Sequence, residues 1–192
     1  MTRHAMTIRN GLLHEARWVA SPNFGPRPLT DDISLLVIHN ISLPPGQFGS
    51  GDIERFFRNQ LDKSAHPYFE TIAELKVSSH LLIERDGTVI QFVNFNDRAW
   101  HAGASEFCGR DNCNDYSIGI ELEGTDDTPY TAEQYHVLAA ITASLLKVYP
   151  ALTEDRITGH NNIAPGRKTD PGPAFDWLRY RSEVTAFIEE QA

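Results

Sequence analysis

The chain has 192 residues, 41% of them hydrophobic and 22% charged, the composition of a soluble globular protein with one substantial core. Its formal net charge of -9 argues against nucleic acid or an anionic membrane as the main partner, since both require clustered Lys and Arg. No segment is apolar over a length that spans a bilayer, and Met1 to Met6 lead into polar sequence without the apolar core of a signal peptide, so a cytoplasmic protein is expected.

Residues 1–30, punctuated by Pro22, Pro26 and Pro28, read as an extended N-terminal arm. Ser34 to His39 is a continuous apolar run rich in β-branched residues, which predicts a buried central strand ending at His39. The Pro and Gly residues from Pro44 to Gly51 impose a loop, and Asp52 is placed to cap a short helix with Ile53, Phe56 and Phe57 on one face. Val77 to Ile83 and Thr88 to Val93 flank Asp86-Gly87, a hairpin turn signal. Ser117 to Glu123 alternates, with Ile118, Ile120 and Leu122 on one face and Glu121 and Glu123 on the other. Thr131 and Gln134 form a capping box for an apolar-striped helix that Pro150 stops. A last helix is predicted from about Phe175 to Glu190. No repeat, low-complexity tract or dividing linker interrupts this order, so residues 1–192 are expected to form a single α/β domain on one central mixed β-sheet flanked by helices.

Chemistry concentrates in the loop from Gly159 to Pro173, where His160, Lys168 and Asp170 sit among Pro and Gly residues. Two neutral imidazoles and a carboxylate leave a tetrahedral zinc with one open position, the arrangement of a catalytic site. A strand-end histidine such as His39 is a candidate to complete such a set. The remaining histidines, His4, His14, His66, His80, His101 and His136, leave the choice open on composition and spacing alone; His80 reads as structural within a strand and His136 as solvent-facing on a helix. A carboxylate near a zinc-bound water can take its proton and pass it on, so Glu121 and Glu123 are candidates, although a strand Glu is more often simply solvated. Cys108 and Cys113 lack metal-site spacing and read as reduced thiols.

Four blocks, Leu36 to Gly46, Trp100 to Gly103, Ser117 to Gly124 and Thr158 to Gly172, together resemble the zinc amidases related to phage T7 lysozyme and the peptidoglycan recognition proteins. Within them the likeness is to the branch that cleaves 1,6-anhydro-N-acetylmuramyl-L-alanine, and it runs from about Leu12 to about Leu178. The resemblance implies that family's fold, one zinc per chain held by His39, His160 and Asp170, proton transfer by Glu121 and oxyanion stabilisation by Lys168. It also implies substrate contacts at Asn40, Lys76, Ala99, Trp100 and Leu122. Lys76 and Asn112 stand where arginines are expected, and neither can form a bidentate fork on a substrate carboxylate. The implied reaction is hydrolysis of the lactyl–L-Ala amide of cytoplasmic anhydromuropeptides by a monomer, which would keep β-lactamase induction low. A wall-degrading amidase and a non-catalytic recognition protein of the same fold are the alternatives.

Overall fold

The computed structural model describes residues 6–191; His4 and the rest of the first five residues lie outside the described residues, as does Ala192. Among the described residues, six strands make the main sheet: β1 (Arg17–Trp18), β2 (Leu35–Ile41), β3 (Leu81–Ile83), β4 (Val89–Gln91), β5 (Ser117–Glu123) and β6 (Ile157–Gly159). Their spatial order is β6-β2-β5-β3-β4-β1. β5 lies parallel to β2 and β3, β6 parallel to β2 and β1 parallel to β4, while β3 and β4 form the antiparallel hairpin. The sheet is therefore mixed, as expected.

Among the described residues five α-helices flank it: α1 (Asp52–Phe57), α2 (Pro67–Ile72), α3 (Ala132–Val148), α4 (His160–Ile163) and α5 (Trp177–Gln191). Period-2 alternation decides what each sheet face meets. Leu36, Ile38, Ile118, Ile120 and Leu122 share a core with residues of α3 and α5. On the other face Leu82, Ile90 and Phe92 meet Ile53, Phe56 and Phe57 of α1 and Phe69 of α2. All seven residues of β5 are consequently buried, including both glutamates. Their solvated reading is wrong because the strand is central and covered on both faces.

Several expectations shift in detail. β2 continues two residues past His39, which sits inside the strand rather than at its end. α1 is capped by Gly51 without a side-chain bond, and Asp52 lies in the first turn and pairs with Arg55 at 2.7 Å. The capping box at Thr131 and Gln134 is present. His136 is half-buried with its ring 5.1 Å from that of Phe187, because α5 covers that side of α3. The described part of the N-terminal segment is tied into the fold. β1 forms the sheet edge, and buried Arg27 donates to the carbonyls of Phe95, Asn114, Asp115 and Ser117 at 2.8–3.3 Å. Burial lowers its pKa to about 10.

Candidate active site

The register of the parallel strands brings the first two functional groups together. Glu121 of β5 pairs with His39 of β2, so both side chains leave the sheet on the same face. β6 pairs with the other edge of β2, Gly159 opposite Ile38, and delivers His160 one residue later at the start of α4. The chain then loops back. The backbone N–H of Asn161 donates to the Asp170 carbonyl at 2.9 Å, and the Pro171 carbonyl accepts from Tyr130 Oη at 2.7 Å and Asn40 Nδ2 at 3.1 Å. These bonds turn the Asp170 carboxylate towards the two histidines.

Three potential ligand atoms converge there. His39 Nδ1 is 2.9 Å from His160 Nδ1, and Asp170 Oδ2 lies 3.1 Å from each. His160 Nε2 faces the Ala102 carbonyl at 3.0 Å, so it carries the ring proton and leaves Nδ1 as a lone pair aimed at the centre. His39, His160 and Asp170 could hold a metal ion. Burial lowers the His39 pKa to about 4, keeping that imidazole neutral against the raising effect of Asp170. Burial alone would raise the Asp170 carboxyl, but the two imidazoles whose Nδ1 atoms lie 3.1 Å from Oδ2 outweigh it and hold the group well below the usual carboxylate range.

Glu121 occupies the opposite situation. Its Oε2 is buried and has no hydrogen-bond partner among the described residues. Burial, reinforced by the charge of Asp170 and opposed by Lys168, pushes its pKa well above the ordinary value. A carboxyl so placed exchanges protons more readily near neutral pH than a solvated glutamate. Lys168 is exposed and makes no ion pair among the described residues, so its ammonium stays available at the rim. All five groups line one cleft of about 360 Å³, whose apolar side carries Trp100, Tyr68, Ile72 and Leu75.

The other sequence candidates divide. Asn40 and Trp100 line the cleft, but the Asn40 amide hydrogens are committed to Asp126 and Pro171. Ala99 is fully buried in a short strand paired with Phe24, and Leu122 packs in the core towards α3, so neither lines the cleft. The reason is strand alternation: Leu122 is the neighbour of Glu121 and points the other way. Lys76 lies in a separate depression with Lys63 and Glu74. Asn112 is an exposed turn residue at φ 55°. Glu123 is spent on structure, accepting the Gly49 N–H at 2.6 Å and thereby anchoring the Pro44–Gly51 loop. Cys108 and Cys113 are free thiols outside the site.

Sequence reasoning left His101 and Ser117 unassigned. His39 Nε2 contacts His101 Nδ1 at 2.9 Å, and His101 Nε2 contacts Ser117 Oγ at 2.9 Å. Nothing in spacing marks this chain, because its members come from three separate segments.

This cleft and fold define a class. The family described as N-acetylmuramoyl-L-alanine amidase matches residues 29–173, and the chain belongs to that family. More particularly, it is 55% identical to the 1,6-anhydro-N-acetylmuramyl-L-alanine amidase AmpD of Haemophilus influenzae, over 95% of this chain and 99% of that protein. A crystal structure of an AmpD selenomethionine derivative superposes with a TM-score of 0.91 at 56% identity, covering 93% of this chain and 99% of the other. AmpDh3 from Pseudomonas aeruginosa, solved in complex with anhydromuramic pentapeptide, matches with a TM-score of 0.60 at 29% identity, over 81% of this chain and 61% of that one.

Proposed function

We propose that this protein is a zinc-dependent 1,6-anhydro-N-acetylmuramyl-L-alanine amidase, acting as a single-domain monomer on soluble anhydromuropeptides in the cytoplasm. The observation that carries the reading is the convergence of His39 Nδ1, His160 Nδ1 and Asp170 Oδ2 beside the orphaned Glu121 carboxyl. The donor set fits zinc. Tetrahedral bonds of about 2.0–2.1 Å place ligand atoms roughly 3.3 Å apart, close to the 2.9–3.1 Å separations here. Two neutral nitrogens and one carboxylate also leave the fourth position for water.

When bound, zinc supplies Lewis acidity and makes a coordinated water acidic near neutral pH. Glu121 takes the proton of the attacking water, a role its raised pKa and vacant Oε2 suit. The attack is on the lactyl carbonyl carbon of the lactyl–L-Ala amide. Lys168, at the rim, places its ammonium against the negative charge developing on that carbonyl oxygen. As the C–N bond breaks, Glu121 returns the proton to the L-Ala nitrogen, leaving a free peptide and the anhydrosugar acid. Trp100, Tyr68 and Leu75 provide an apolar wall for the rest of the substrate. Removing recycled muropeptides in this way would limit β-lactamase induction.

The test is mass spectrometry of purified protein incubated with soluble anhydromuropeptide or with intact peptidoglycan. Free peptide beginning at L-Ala is expected from the soluble substrate, with loss under a zinc chelator and recovery on adding zinc. Chelator-insensitive turnover would sink the zinc assignment. Faster release from intact peptidoglycan would point to a wall amidase instead.

A further inference from the structure

The two imidazoles of the triad are oriented by different partners. His160 is fixed by a backbone carbonyl, which can only accept, so its tautomer is unambiguous. His39 instead meets another imidazole, and an imidazole can serve as donor or acceptor. The orientation of His39 therefore depends on which nitrogen of His101 carries a proton.

We propose that His101 is a positioning residue for the metal centre: it accepts the Nε2–H of His39 and donates its own Nε2–H to Ser117, so that Nδ1 of His39 faces the metal as a lone pair. This rests on the zinc reading above and deepens it. The geometry admits a consistent chain. If His39 presents Nδ1, its proton is on Nε2, 2.9 Å from His101 Nδ1, and that atom must be bare, since two N–H groups cannot face each other at that distance. The His101 proton is then on Nε2, 2.9 Å from a hydroxyl oxygen that accepts. The rings of His39 and His101 stand nearly perpendicular, 87°, with centroids 5.0 Å apart.

The fold is built around that ring. A Cβ at Gly119 would lie 2.4 Å from His101 Cγ, so the strand carries glycine where the imidazole lies against it. His80, its ring centroid 5.9 Å from that of His101, accepts the Gly119 N–H at 3.1 Å and donates to the Asp97 carbonyl at 3.0 Å, holding that peptide in place. Asn114 Oδ1 accepts the backbone N–H groups of His101 and Ala102 at 3.0 and 2.8 Å, fixing the segment that carries the ring. Ala102 is the residue whose carbonyl orients His160. One short segment thus orients both histidines, one through its side chain and the other through its backbone. Partners of this kind orient metal-bound histidines in general, and losing one costs about 10–100-fold in metal affinity.

The experiment compares zinc affinity, by chelator competition, in the wild-type protein, His101→Ala and His101→Asn, with thermal melts of the zinc-free proteins alongside. Asn can place Oδ1 near the position of the lost Nδ1 and accept the same bond. We expect His101→Ala to bind zinc about 10–100-fold more weakly, and His101→Asn to recover most of that loss although both variants remove the ring. Wild-type affinity in His101→Ala would overturn the proposal, as would equal weakening in both variants, which would make the ring a packing element. Absence of zinc binding by the wild-type protein would instead overturn the zinc reading. Should His101→Ala fail to fold, Ser117→Ala supplies the second arm. It keeps the ring and removes its acceptor, so weakened zinc binding with a near-wild-type zinc-free melt supports the chain, and unchanged binding overturns it.

Discussion

The active-site cleft has two halves that are held in different ways. His39 and Glu121 ride on neighbouring parallel strands paired along their whole length, from Leu35 with Ser117 to Ile41 with Glu123. His160, Lys168 and Asp170 come from the segment after β6, which beyond α4 has no ladder and hangs on separate bonds at Arg167, Pro171 and Ala174. A ladder spreads load over many bonds, so a strand residue keeps its place when one neighbour is altered. A loop held by single bonds has no such redundancy. Changes at the sheet should therefore alter chemistry without moving groups, and changes at the loop should move groups without altering chemistry.

Glu121→Gln tests the first half and carries the largest expected effect. The amide is nearly isosteric and removes the proton-carrying group alone. We expect kcat to fall by about 10²–10⁴, the usual worth of general acid–base catalysis, while zinc affinity stays within a few fold. Turnover within threefold of wild type in a zinc-loaded variant would remove Glu121 from the proton path. A collapse of zinc binding would show that the sheet half is no more rigid than the loop.

Gly172→Ala tests the second half. Gly172 has φ 79°, where an L side chain is strained by about 1–2 kcal/mol. An added Cβ would also lie 2.3 Å from Asp126 Cα, a backbone atom that cannot step aside alone. Urea denaturation should show a loss of about 2–4 kcal/mol, with zinc binding weakened about tenfold as Asp170 shifts. Unchanged zinc affinity alongside lost stability would mean the ligand is positioned independently of the turn that follows it.

The same division governs how much the sequence discloses. The strand cores, the hairpin turn at Asp86-Gly87 and the capping box at Thr131 are local patterns, and periodicity exposes them. Leu122 shows how a local rule outperforms a resemblance: its alternation with Glu121 already assigns it to the opposite face, where it packs towards α3. The pairing of Glu121 with His39 is a register between strands far apart in the chain, and no periodicity encodes it. β1 escapes notice because two residues carry no pattern. The bonds from Asn40 and Tyr130 to Pro171, and the chain from His39 through His101 to Ser117, escape for the same reason: each is a single contact between distant segments. Asn40 stands in the motif for its neighbour His39, yet its amide works on the loop.

Tyr130→Phe sharpens the comparison at its smallest scale. The hydroxyl donates to the Pro171 carbonyl at 2.7 Å, and burial raises its pKa well above the ordinary tyrosine value, so it remains a donor throughout the working range. Removing it leaves Asn40 Nδ2 on the same carbonyl at 3.1 Å. The loss should be that of one hydrogen bond, about 1 kcal/mol. An unfolded tyrosine titrates near pH 10, so both states keep the proton below that value and the loss should be equal at pH 6 and pH 9. Urea midpoints of the two proteins at the two pH values check this. A larger loss at one pH would mean that the hydroxyl is not a permanent donor. A loss approaching that of Gly172→Ala would mean that this one bond holds the loop half, and that Asn40 contributes little beside it.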